Sequence, residues 1–547
     1  MAAPDPPLTN IASHLVRVAA ERPRATAVHV LADGSSLSYD ELHRDSDRIA
    51  RGLARRGIGR GARVCVFVPP GRDFLGLVFA LFKAGAVPVV VDPGMGVRAV
   101  GHCLAVARPQ AFVGVGKAHL ARRLFRWGGP GITVRIVCGG FPGRLLGAGC
   151  ASLDAVRESG GDGPFEMPDV APDETAAVLF TSGSTGPPKG AVYMHRTFAA
   201  QVTMLRDLYD VRPGEVDLAT FPLFALLDPA LGMTTVVPVT DPRRILGPVR
   251  EHGVTHMFAN PALLERIVDG APEGTRLPTL RRVVSAGAPV RPDVLRRMQA
   301  LLAEGAEVHT PYGATEALPV CSIGSREILA ETAARTERGE GFCVGRPVPR
   351  MDVRVIRVAD GPLAAWSDDL LAPPGEVGEI VVRGPTVTRE YFDRPEATRA
   401  AKIPDGPDGS GDVWHRMGDL GRFDEHGRLW FCGRASHRVE TAAGTLHSVC
   451  VEAPFDAHPA VRRTALVGVG ERGAVRPVLC GGLAGSDVLT EEIEAGLRRI
   501  AATHEHTREV ATFLPHPGFP VDARHNAKIR REVLRDWAAA KLRSLGR

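Results

Sequence analysis

Residues 178–190, Val-Leu-Phe-Thr-Ser-Gly-Ser-Thr-Gly-Pro-Pro-Lys-Gly, constrain this chain more than any other stretch. An apolar strand pattern runs into a loop bearing Thr181, Ser182, Gly183, Ser184, Thr185 and Gly186, followed by Lys189. Glycines let backbone N–H groups approach a polyphosphate, hydroxyls add donors, and a lysine supplies a mobile cation. A phosphate loop that opens a helix needs Gly-x4-Gly-Lys-Ser/Thr. Here Pro187 and Pro188 precede the lysine and Gly190 follows it, which denies that kind of helix entry. The pattern therefore predicts a phosphate loop of another type. A flexible Gly/Ser surface loop is the bland alternative, and the ordered set of hydroxyls, prolines and lysine speaks against it.

Around this loop, helix and strand patterns alternate. Residues 42–53 read as a helix, 63–68 as a strand, 74–84 as a helix, and 89–91 as the core of a short strand. The alternation resumes over 178–320, which predicts layered α/β units on parallel strands. Between 351 and 431 the pattern changes to short β runs at 353–356, 379–382 and 429–431, divided by Gly/Pro turns. A small antiparallel sheet or barrel is expected there. Beyond Arg434, strand-like 463–467 and 478–481 and helix-like 491–502 suit a separate small α+β domain, with the boundary at Ser436.

Bulk properties remove several function classes. A net charge of +5 over 547 residues, without a long basic run carrying aromatics, gives no support to a nucleic-acid partner. Nine cysteines without a CxxC pair suit reduced, buried thiols of a cytosolic protein better than disulfides or zinc. The most apolar stretch, 74–91, is interrupted by Lys83, Gly85 and Pro88, so it reads as a buried helix and strand, not a membrane span. The first residues lack a charged n-region and an apolar h-region, so no secretory signal is expected. A cytoplasmic protein follows, with peripheral membrane association left open.

The loop resembles the signature of the adenylate-forming superfamily of acyl-CoA synthetases, luciferases and nonribosomal peptide adenylation domains. Further motifs follow in the family order. Ser285-Ala-Gly287-Ala288-Pro289 resembles the turn that lies along adenine. Tyr312-Gly313-Ala-Thr315-Glu316 is similar to YGxTE, whose tyrosine stacks on adenine and whose glutamate binds magnesium. Residues 375–384 are similar to the family's barrel segment. Gly418-Asp419 and Gly433-Arg434 match the ribose contacts, and Lys528 of Asn526-Ala-Lys528-Ile529 sits at the catalytic lysine. Singly, YGATE or Gly-Asp is a turn, and a lysine among arginines is usually a solvated face. Their common order carries the resemblance. It implies ATP and Mg2+ as cofactors, with Thr185 and Glu316 at the metal. It also implies an AMP-binding domain over 1–435 and a mobile domain over 436–547 that delivers Lys528. The implied step is attack of a carboxylate on the α-phosphorus of ATP, with Lys528 and Mg2+ stabilising developing charge and domain rotation gating it.

Departures from the superfamily pattern narrow the reading. Phe221-Pro-Leu-Phe-Ala-Leu-Leu-Asp228-Pro has Ala225 where a histidine is usual. The hinge reads Gly-Arg-Ala-Ser-His-Arg-Val-Glu440, with an acid at the usual lysine, and Asn526-Ala replaces Ser-Gly. An acid there is a poor lining for phosphorylated CoA. Together these segments resemble the β-lactone synthetases of bacterial olefin and β-lactone biosynthesis. That resemblance implies adenylation of a 2-alkyl-3-hydroxy fatty acid and closure by its own 3-hydroxyl. It also suggests a thiolase-like condensing enzyme and a ketone-reducing dehydrogenase as neighbours, with a homodimer open. His195 and Asp228 are candidates for accepting the hydroxyl proton; the bland readings are a contact behind the loop and a turn cap. Two rivals stand beside this reading: an acyl-CoA synthetase or acyl-AMP ligase loading a thiol carrier, and a non-catalytic nucleotide-binding scaffold. The acyl pocket is expected from 221–235, 258–263 and 310–320, with Phe221, Phe224, Phe258 and Ala317 on its walls.

Overall fold

The computed structural model describes residues 9–140, 143–181, 186–221, 225–239, 245–406, 411–471, 475–484, 488–521 and 529–546. The first seven-stranded sheet runs in the order Ala151–Ser152, Val134–Cys138, Ala111–Val115, Arg63–Phe67, Val87–Val90, Thr175–Thr181, Lys189–Met194. Its strands are parallel until the last, which turns back antiparallel on Thr175–Thr181. Helices cover both faces of such a sheet, so its central strands read as unbroken apolar runs: Ala176 to Phe180 are all buried.

The second seven-stranded sheet is built on Glu307–His309, Arg282–Val284, His256–Phe258, Val216–Leu218 and Thr234–Val237, all parallel. Its far edge is Thr26–Val30, parallel to Thr234–Val237, followed by Ser35–Ser38. The chain's first strand thus crosses to the second sheet while the elements after it build the first. Eight antiparallel strands between Tyr312 and Arg434 form a third sheet, which starts earlier than the change of pattern at 351. Beyond it, Val461–Val469 and Arg476–Leu483 pair antiparallel and Thr512–Pro515 adds parallel, with helices Ser448–Asp456, Glu491–Thr503 and Arg531–Ser544.

Local chemistry fixes the helices that frame the site. Ser38 and Glu41 form a capping box that starts helix Tyr39–Ala54. Helix Arg72–Lys83 is buried from Phe74 through Lys83. Lys83 Nζ donates to Asp47 Oδ1 at 2.6 Å and to His43 O at 2.9 Å. A buried ammonium is tolerated only with such partners, and burial still lowers it to about 8. Among the described residues no helix is long and apolar enough to cross a membrane. All nine cysteines are free, and all but Cys150 are buried.

Candidate active site

A cavity of about 1670 Å3 runs between the three large sheets and the segment beyond Arg434. Its walls carry Thr181, Lys189, Gly287, Ala288, Pro289, Tyr312, Gly313, Thr315, Glu316, Asp419 and Arg434, which the sequence had drawn from five separate motifs. The loop after Thr181 leaves one antiparallel strand and returns at Lys189 on its partner, with Thr181 opposite Lys189. It joins strand to strand and opens no helix, as Pro187 and Pro188 required. Ser182, Gly183, Ser184 and Thr185 lie outside the described residues; Gly186 follows in open space. Gly287 has φ +97°, a left-handed conformation that favours glycine, between strand Arg282–Val284 and helix Pro292–Leu301.

The Tyr312–Glu316 segment is a hairpin turn fixed from four sides. Tyr193 donates to Thr315 O at 2.6 Å and Gln201 Nε2 to Leu318 O at 3.1 Å. Thr388 N donates to Glu316 O at 2.8 Å, and Tyr391 donates to Glu316 Oε1 at 2.8 Å. A Cβ on Gly313 would meet Ala317 O at 2.6 Å, so the turn can close only around glycine. On the facing wall, Asp419 and Arg434 are register partners on adjacent strands, with Arg434 Nε 3.0 Å from Asp419 Oδ1. Tyr312 donates to Asp419 Oδ2 at 2.6 Å. Burial, and then the Asp419 carboxylate, hold Tyr312 protonated, while Asp419 stabilises the Arg434 cation.

Two candidates lie elsewhere. His195 begins helix His195–Tyr209, is buried, and does not line the cavity. Its backbone N–H donates to Glu174 O, and Nδ1 has no hydrogen-bond partner among the described residues. Burial lowers its pKa to about 4, so it is neutral. Asp228 is also off the cavity, behind strand Thr234–Val237, where Thr235 Oγ1 donates to its Oδ2 at 3.1 Å. Burial and the neighbouring Asp217 carboxylate push its pKa well up, and Asp217 in turn lies 2.5 Å from His256 Nδ1. Lys528 is outside the described residues; Val521 and Ile529 on either side pair as an antiparallel bridge and both line the cavity.

Residues 15–392 match the AMP-binding enzyme family. The chain belongs to that family. Among relatives of this AMP-binding enzyme, the olefin β-lactone synthetase of Xanthomonas campestris pv. campestris is 50% identical over 97% of this chain and 98% of its own. The enzyme of the same name from Stenotrophomonas maltophilia is 48% identical over 97% and 98%. ATP-bound MatB from Rhodopseudomonas palustris superposes with TM-score 0.76 at 21% identity, covering 97% and 99% of the two chains. The amide bond synthetase McbA from Marinactinospora thermotolerans gives TM-score 0.76 at 23% identity over 96% and 99%. At these identities the two solved structures establish the fold, and the chain is an AMP-forming ligase of that α/β class.

The site of this AMP-binding enzyme also holds residues that motif reading missed. Tyr391 anchors Glu316, and Lys189 Nζ stands 5.1 Å from the Tyr391 ring centroid. Lys402, fully buried beneath, donates to Thr388 O and sits 5.8 Å from the same ring. Burial brings Lys402 down to about 7 against the opposing pull of Glu316. His415 lines the cavity, is buried, and is held neutral by burial and by Lys402; its Nδ1 is 3.2 Å from Ala401 O. One sequence signal could have found Tyr391: the chain has only five tyrosines, and three of them, Tyr193, Tyr312 and Tyr391, pin this wall. Among the described residues no group of three metal-ligating side chains occurs. A magnesium ion carried on a nucleotide takes one or two carboxylates and otherwise phosphate and water. Glu316 offers such a carboxylate, since Tyr391 occupies only Oε1 and the cavity reaches the residue.

Proposed function

We propose that the chain adenylates a 2-alkyl-3-hydroxy fatty acid with ATP and closes it to a β-lactone, releasing pyrophosphate and AMP. The observation that carries this reading is the 50% identity, over nearly the whole chain, with the Xanthomonas olefin β-lactone synthetase. The composition of the cavity supports it. A charged, hydrogen-bonded wall at Glu316, Asp419 and Arg434 suits a nucleotide, and a long apolar wall suits alkyl chains. The hinge supports it too: Glu440 is paired with Arg438 at 3.0 Å, so the position presents no free cation to a phosphorylated thiol.

In the first step a carboxylate oxygen bonds to the α-phosphorus and pyrophosphate leaves. Asp419 accepts from the ribose hydroxyls, Arg434 holds Asp419, and Tyr312 packs on the base. Glu316 and Thr185 would hold magnesium, which supplies neutralisation of the triphosphate when bound. Lys528 bridges carboxylate and α-phosphate, an electrostatic contribution on the order of 100-fold in rate. In the second step the 3-hydroxyl oxygen bonds to the acyl carbon, the acyl–phosphate C–O bond breaks, AMP leaves with its electron pair, and the hydroxyl proton passes to the leaving phosphate or to solvent. Positioning of a tethered nucleophile offsets the strain of the four-membered ring. His195 and Asp228, the candidates for accepting the hydroxyl proton, are buried and off the cavity wall. The acid requires prior condensation and ketone reduction, so a thiolase-like enzyme and a dehydrogenase are the expected neighbours. A cytoplasmic homodimer fits the same reading.

The test is product analysis with ATP, Mg2+ and a synthetic 2-alkyl-3-hydroxy acid, with and without CoA. A product lighter than the acid by one water, formed without CoA, is expected. A thioester formed only with CoA would transfer the function to thiol ligation. Absence of ATP–pyrophosphate exchange across many acids would leave a binding scaffold.

A further inference from the structure

We infer that one alkyl chain of the substrate lies in an apolar arm between helices Arg72–Lys83 and His195–Tyr209, with its reach set by Val78 and Phe82. This rests on the function proposed above. The cavity is lined by Phe74, Val78 and Phe82, one residue every four along a single helix. That spacing is one continuous stripe, so the cavity follows the helix for about 12 Å. Across from it stand Ala177 and Leu179, alternate residues and hence on one face of the strand Thr175–Thr181. Phe198 and Leu226 close the sides. All of these are buried members of one apolar cluster.

Aromatic contacts trace the arm from the reacting end to its floor. Tyr193, whose hydroxyl is spent on Thr315 O, lies 5.0 Å from Phe198 between ring centroids. Phe198 meets Phe82 edge-on at 5.5 Å. The other polar side chain on this path, Gln201, donates to Leu318 O. No charged side chain is among these lining residues, so a chain here gives up water without meeting an unpaired charge. Phe82 marks the end. Its carbonyl accepts from Asn10 Nδ2 at 2.8 Å, which locks helix Ile11–Glu21 across the floor, and the ion pair of Lys83 with Asp47 lies just beyond. None of Phe74, Val78 or Phe82 falls in the segments that sequence patterning assigned to the pocket. An acid branched at C2 carries two chains, and this arm supplies room for one of them within the same apolar cluster that includes Phe258.

The experiment lengthens the 2-alkyl chain and the C3-borne chain one at a time and measures kcat/KM for ATP–pyrophosphate exchange and for lactone release. Wild type, Val78→Phe and Val78→Ala are compared. Val78→Phe should lower the long-to-short selectivity ratio for one chain position at least tenfold, at about fourfold per excluded methylene, and leave the ratio for the other position within twofold. Val78→Ala should move the optimum at that same position to a longer chain. Ratios unmoved by both variants, or falling equally at both positions, overturn the arm. If Val78→Phe does not fold, an unshifted optimum in Val78→Ala overturns it alone. Exchange that depends on residue 78 without lactone from wild type would defeat the function and leave the arm standing; lactone insensitive to residue 78 would do the reverse.

Discussion

The nucleotide wall and the alkyl arm share one cavity but are built by opposite means. On the wall, polar side chains drawn from short motifs are each held by a named partner: Tyr312 by Asp419, Asp419 by Arg434, Glu316 by Tyr391. In the arm, apolar side chains from helix, strand and helix meet only by packing. A fixed ligand such as ATP can be met by short motifs because its recognition elements sit on a few turns and adjacent strands. A variable ligand such as an alkyl chain is met by surface and volume, which many combinations of residues can supply. In the proposed function the wall sets the chemistry, and in the proposed arm lies the choice of acid.

The division makes separable predictions. Lys528→Ala should reduce ATP–pyrophosphate exchange on the order of 100-fold or more for every acid, long or short; a loss confined to long acids would place Lys528 in chain selection and blur the division. His195→Gln addresses the scaffold shared by both regions. The folded His195 titrates near 4 instead of 6.5. A depressed pKa means its contribution is present above pH 6.5 and lost as pH falls toward 4, up to about 3 kcal/mol. Chemical denaturation of the variant should show a flatter acid limb over that window; an unchanged limb would remove the buried neutral imidazole from the account.

Asp419→Ala should raise the KM for ATP by about 10- to 100-fold with little change in selectivity among acids, because it strips the ribose acceptor and leaves Arg434 without its carboxylate. Steady-state kinetics over a series of acids separates the two effects. Tyr391→Phe should raise the magnesium concentration for half-maximal exchange about fivefold by releasing Glu316 Oε1, measurable by titrating Mg2+ at fixed ATP. Asp228→Asn should change lactone release by less than about threefold, since burial and Asp217 push its carboxyl toward the protonated form and it lies off the cavity. Retained pyrophosphate exchange with accumulating acyl-AMP would instead make Asp228 part of ring closure.

The same contrast explains what the sequence made legible. Layered α/β units, the antiparallel region and the strand-to-strand passage from Thr181 to Lys189 follow from periodicity, Gly/Pro punctuation and the two prolines before Lys189. The motif residues at 285–289 and 312–316 reach one cavity on local turns that glycine permits, Gly287 by its positive φ and Gly313 by close approach to Ala317 O. The place of strand Thr26–Val30 in the second sheet was not legible, because pairing with Thr234–Val237 spans about two hundred residues of sequence and leaves no local mark. Helix Arg72–Lys83 was read as buried, yet nothing in its apolar run says that one stripe faces a cavity and the rest faces protein. Lys402 and His415 escaped because their burial depends on the pairing of their two strands with each other and with Gly378–Arg383.

The most direct test of the account labels both carboxylate oxygens of a 2-alkyl-3-hydroxy acid with 18O and analyses the products of a reaction with ATP and Mg2+, without CoA. The account predicts one 18O in the phosphate of AMP, one retained in the carbonyl of a β-lactone, and the unlabelled 3-oxygen in the ring. AMP without label, or no lactone while label enters AMP only when CoA is supplied, would contradict it.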